Sequence, residues 1–222
     1  MTTITREKST PLDIPAFQAL YASCEAYARE YMSRYDASHD WSHIERVRSL
    51  SIKLMSDSPI AIDAQLVSLA AILHDIGDHK YVTPGASPTP VKDLLISFGC
   101  PESLAISVQI VVSNVSYSNE TKNRDEVARV LEVYPELGIV QDADRLDAIG
   151  AVGIGRCFTF GGAKQRDTGM QGCITHFEEK LLKIHEIMKT ERGRKMAVER
   201  TERIREFERW WSEEVGETGV TM

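Results

Sequence analysis

Apolar residues recur at steps of three and four along most of this chain, the spacing that aligns side chains along one side of a helix. In residues 14–35 the recurring positions are Phe17, Leu20, Tyr21, Cys24, Tyr27 and Tyr31, and Pro11 just upstream suits a helix start. A second stripe of Ile44, Val47, Leu50, Ser51 and Leu54 predicts a helix over 40–55. A third helix, over 61–76, is apolar nearly all round, with only Gln65 and Ser68 polar between Ala64 and Leu73, so it belongs in the middle of the core. Further helices are expected at 91–98, 102–113, 126–133 and 138–149. The stretch 174–215 is highly charged yet keeps Phe177, Leu181, Ile184, Ile187 and Met188 as an apolar stripe, which predicts two helices meeting near 191–193. Residues 81–90 read YVTPGASPTP and cannot be regular, so a loop of lid length follows the third helix. No segment shows the two-residue alternation and hairpin turns of a sheet; VQIVVSNVSYS comes nearest and reads equally well as a helix end. The expected fold class is all-α: one helical bundle over 11–212, with a flexible arm at 1–10 and a flexible tail at 213–222.

Composition narrows the function classes. Among 222 residues, 42% are hydrophobic and 27% charged, with 14 Gly and 8 Pro, which excludes wholesale disorder and low-complexity repeats. A net charge of −7 argues against a surface that tracks nucleic-acid polymers. A small anionic substrate stays open if a metal supplies positive charge. No apolar run reaches the roughly 18 residues of a membrane span, and MTTITREKST lacks a signal-peptide core, so a cytoplasmic protein without a membrane partner is expected. Cys24, Cys100, Cys157 and Cys173 contain no CxxC pair and read as reduced thiols.

Chemistry shows where polar residues interrupt apolar helices. His74 and Asp75 stand together at the end of the most buried helix, where an unpartnered carboxylate would cost several kcal/mol. The pair fits either ligation of a divalent cation or a hydrogen-bonded closure of the helix end. Asp142, Asp144 and Asp147 form a second cluster, in which Asp144 and Asp147 share a helix face. They can serve a site or complement a helix dipole. His39 and His43 lie one turn apart in SHDWSHIERV, where His39 and Asp40 can equally cap the helix.

Taken together, His43, His74 with Asp75, and Asp144 resemble the H…HD…D signature of the HD-domain metal-dependent phosphohydrolases. The phrases HDWSHIERV, LAAILHDIGDHKY, QDADRLDAIGAVGIGRCFTFGG and HFEEKLLKI are similar to a subgroup of small single-domain HD proteins of bacteria and fungi, and fall between residues 38 and 195. The resemblance implies helices that gather His43, His74, Asp75 and Asp144 around one cation. It favours Asp144 over Asp142 through Asp144-Arg145-Leu146, and His43 over His39 through Ile44-Glu45-Arg46-Val47. Only His79 lies between the HD dipeptide and the last aspartate, which implies a mononuclear site and hydrolysis rather than oxygen chemistry. Manganese, magnesium, cobalt and iron all suit such ligands.

The implied reaction is attack by a metal-activated water on a phosphoester or phosphoanhydride bond of a small nucleotide. Asp75 and Asp78 are the candidate catalytic carboxylates, Asp78 as general acid or base or as the group orienting His74. Lys80, Arg145 and Arg46 are the candidate phosphate contacts. Asn114, Ser116, Tyr117, Thr159, Gly161 and Gly162 are candidate pocket lining, and Trp210 and Trp211 candidate packing or oligomer contacts. The competing readings are a phosphatase for a non-nucleotide monoester and a catalytically silent nucleotide-sensing module. Beyond a small phosphorylated substrate, self-association is the one partnership left open.

Overall fold

A computed structural model describes residues 6, 10–34, 38–76, 87–164 and 168–217. The described residues contain helices and no strand. Helix α1 (Ile14–Met32) opens on Asp13, whose side chain accepts the Ala16 N–H at 2.8 Å, and buries Leu20, Cys24, Ala28 and Met32 along one edge. Helix α2 (Trp41–Met55) opens on Asp40 and buries the predicted stripe, with His43 on the same side. Helix α3 (Ala64–Leu73) buries every residue from Leu66 to Leu73 except Ser68. Removing each of Leu66, Leu69, Ile72 and Leu73 from water favours folding by about 2 kcal/mol, against the entropy of ordering the chain. The helix starts at Ala64 rather than 61 because Asp63 accepts the Gln65 and Leu66 N–H groups and so terminates it.

Helices α4 (Pro90–Ser97) and α5 (Glu102–Ser113) pack on one another, and α5 packs on α3. VQIVVSNVSYS is the end of α5 and the turn beyond it. Next come a short helix α6 (Tyr117–Lys122), α7 (Arg124–Val133) and α8 (Glu136–Asp147). Helix α8 lies against α2 and α3 in the middle of the molecule. It stops short of the expected 149 because Gly150 takes φ +73°, a left-handed turn that starts α9 (Gly150–Lys164) in a new direction. The charged C-terminal stretch holds α10 (Gly169–Glu179), a 3-10 segment (Leu181–Ile187) and α11 (Glu191–Glu217).

A single apolar cluster runs from Leu20 to Ile204. Arg6, within the expected arm, holds Nη1 3.1 Å from the buried Glu136 and lies over the Tyr134 ring at 5.3 Å. Helix α11 continues to Glu217, beyond residue 212, where the bundle was expected to end. Trp211 packs near Phe158 and Phe207, while Trp210 is half exposed.

Candidate metal centre

Three helices meet at the end of α3. Asp40, by capping α2, sets the register that turns His43 inward. His74 and Asp75 leave the C-terminus of α3, and Asp144 comes from α8. His43 Nε2 and His74 Nε2 are 3.2 Å apart. Asp75 Oδ2 lies 3.4 Å from His43 Nε2, and Asp75 Oδ1 3.4 Å from His74 Nε2. Asp144 Oδ1 completes the group at 3.6 Å from His43 Nε2 and 3.9 Å from His74 Nε2.

Hydrogen bonds behind the rings decide which nitrogens face this point. His74 Nδ1 is 2.9 Å from the Ala71 carbonyl, which can only accept, so Nδ1 carries the hydrogen and Nε2 a lone pair. His43 Nδ1 donates to Asp147 Oδ2 at 2.8 Å, which likewise directs the Nε2 lone pair inward. Two nitrogen lone pairs and the Asp75 carboxylate therefore form a tight group with Asp144 beside it, and Asp75 Oδ2 is buried and accepts no hydrogen bond. Such a set repels itself unless positive charge sits among it, and neutral imidazole with ionised carboxylate suits a divalent first-row cation or magnesium. Without a cation, the neighbouring groups push both His43 and Asp75 toward their charged forms. Burial and Arg156 work to lower the His43 pKa, but the carboxylates of Asp147 and Asp75 outweigh them and raise it. Burial would raise the Asp75 pKa, yet His74 and His43 hold it well below the usual carboxylate range.

The cluster opens into a cavity of about 330 Å³, within the range of small-ligand sites. Arg156 from α9 and Lys180 at the end of α10 put two cations on its wall. Tyr117 faces Lys180, with Nζ 4.7 Å from the ring centre, and His39 meets Phe160 at 6.0 Å.

The other sequence candidates fall as follows. Ser116 and Tyr117 line the cavity, whereas Asn114, Thr159, Gly161 and Gly162 lie outside its lining. His39 lines it too, with Nδ1 2.8 Å from Ser38 Oγ, and is not among the clustered ligands. Arg145 turns away from the cavity: it is 1% exposed, and its Nη2 pairs with Glu120 on α6. One step along a helix from Asp144 is a rotation of about 100°, which sends Arg145 toward α6 instead. Arg46 is engaged with Asp147, Nε to Oδ1 at 2.7 Å. Asp78, Lys80 and most of the expected lid loop lie outside the described residues. Asp147 was a candidate of the aspartate cluster, but its role behind His43 was missed, as were Arg156 and Lys180. Arg156 and Lys180 sit within the phrases GIGRCFTFGG and HFEEKLLKI that carried the resemblance, and that was the available signal.

No protein-family model matches the chain. Protein YpgQ of Bacillus subtilis strain 168, itself uncharacterized, is 34% identical over 186 residues, covering 82% of this chain and 87% of YpgQ. The crystal structure of Bacillus subtilis YpgQ in complex with ADP superposes with a TM-score of 0.70 at 31% identity, covering 88% of this chain and 97% of that one. An HD-superfamily hydrolase from Bacillus thuringiensis shares the fold with a TM-score of 0.60 at 24% identity, covering 90% and 98% of the two chains.

Proposed function

The chain belongs to the HD-domain superfamily, and from that premise we propose that it is a metal-dependent phosphohydrolase whose substrate is a small nucleotide. The observation that carries this reading is the convergence of His43, His74, Asp75 and Asp144 at the floor of a ligand-sized cavity. Binding of ADP by the YpgQ relative supports a nucleotide in particular.

The two Nε2 atoms and the carboxylates of Asp75 and Asp144 would hold one divalent ion, of manganese, magnesium, cobalt or iron. When bound, such an ion polarises a phosphoryl oxygen and lowers the pKa of water. Asp75 Oδ2, buried and accepting no hydrogen bond, is the atom assigned to take the proton of the attacking water. Arg156 and Lys180 supply the local positive charge that lets a protein of net charge −7 accept phosphate oxygens. Asp78 and Lys80 remain assigned as general acid or base and as phosphate contact on sequence grounds.

The test is a screen of nucleoside mono-, di- and triphosphates for release of phosphate and of pyrophosphate, with bound metal measured by elemental analysis. Asp75→Ala is expected to lower kcat by about a thousandfold, the scale of losing a ligand that also moves a proton. Undiminished turnover in that variant would refute the mechanism.

A further inference from the structure

Behind His43, on the side away from the ligand cluster, Asp147 is held from two directions. Arg46, three residues after His43 on α2, donates Nε to Oδ1 at 2.7 Å and Nη2 to Oδ2 at 3.1 Å. Arg156 on α9 donates Nη1 to Oδ2 at 3.1 Å, while its Nε binds the Ser38 carbonyl at 2.8 Å, just before α2. Asp147 is 1% exposed, and these guanidiniums with His43 hold its pKa well below the ordinary value despite burial. One arginine would neutralise one carboxylate. The second fixes its orientation, because a carboxylate gripped from α2 and from α9 cannot turn away from His43 Nδ1.

We infer that Arg46 and Arg156 are positioning residues for His43, locking Asp147 so that the ring keeps its Nδ1–H tautomer and presents Nε2 to a cation. The inference rests on reading the four-residue cluster as a cation site. Its sign separates it from simple electrostatics. Removing a positive charge near a cation site should, by Coulomb's law alone, tighten cation binding. Loss of a group that orients a ligand weakens it, by about tenfold or more.

The experiment is calorimetric titration of the metal-stripped full chain with Mn2+, for wild type, Arg46→Gln, Arg156→Gln and Arg156→Lys. Both glutamine variants are expected to bind Mn2+ about 10–100-fold more weakly than wild type. Arg156→Lys should fall between, since an ammonium can reach Asp147 but loses the fork that also engages Ser38. Nitrogen–proton spectra of the imidazoles, recorded at a pH above the raised His43 transition, should show one His43 tautomer in the metal-free wild type and a mixture in the glutamine variants. Affinity unchanged or tighter in the glutamine variants overturns the inference. If those variants do not fold, Arg156→Lys, which keeps the charge and alters only geometry, decides alone, and wild-type affinity in it overturns the inference as well. A wild-type chain that binds no Mn2+ removes the cation reading itself and this inference with it.

Discussion

Three aspartates within six residues of α8 do three different things, and helix rotation assigns them. Asp144 and Asp147, three residues apart, lie on one side, the first toward the ligand cluster and the second behind His43. Asp142 points the opposite way, fully buried, and accepts the Lys189 N–H at 2.9 Å and the Thr190 N–H and hydroxyl at 2.7 Å each. It thus anchors, from another helix, the turn that leads into α11, where Thr190 Oγ1 accepts the Gly193 N–H at 3.0 Å. Burial pushes the Asp142 pKa up while the Lys189 and Thr190 hydrogen bonds oppose the rise. Asp142→Ala would strand two amide donors at the α11 start, and urea unfolding should show a loss of about 3 kcal/mol with Mn2+ stoichiometry kept. The shared face of Asp144 and Asp147 was legible in the sequence. The role of Asp147 was not, because its partner His43 stands 104 residues away.

At the scale of elements, helices with a dense apolar stripe could be read directly, as α2, α3 and α5 show. Helices α6 and α9 could not. The α6 sequence YSNETK buries no residue, so it has no stripe, and Arg145 with Lys189 fastens it through Glu120 instead. Helix α9 is rich in glycine, which weakens an isolated helix by about 1 kcal/mol per residue relative to alanine. Tertiary contact explains one of these glycines: a Cβ on Gly161 would come within 2.6 Å of Cys173 Sγ on α10. Gly150 at φ +73° is the joint that brings α9, and so Arg156, over the cavity. Gly150→Ala forces an L side chain into the left-handed region and against Arg200, and the urea-derived stability should fall by about 2 kcal/mol.

For the molecule as a whole, the ligand cluster ties α2, the end of α3 and α8 at one point, so a cation bound there stabilises the packed arrangement of all three. At a Mn2+ concentration of about 100 times Kd, linkage gives about 2.7 kcal/mol, or a Tm rise of about 5–10 °C in a chain of this size. His74→Ala should abolish that rise in a thermal melt. No described helix is long and apolar enough to cross a membrane. The all-helical architecture was legible in the sequence because buried stripes are local patterns, and the family resemblance brought out His43, His74, Asp75 and Asp144, which the fold places near one another. The cationic wall made by Arg156 and Lys180 was not legible, since α9 and the end of α10 come together only through tertiary packing. Helix α8 also constrains how such a chain can change length. One residue inserted between Asp142 and Asp147 would swing the downstream part of the helix by about 100°, unseating either the Asp142 anchor ahead of α11 or the face that carries Asp144 and Asp147. Loops elsewhere can lengthen at little cost, but this stretch tolerates substitution far better than insertion or deletion.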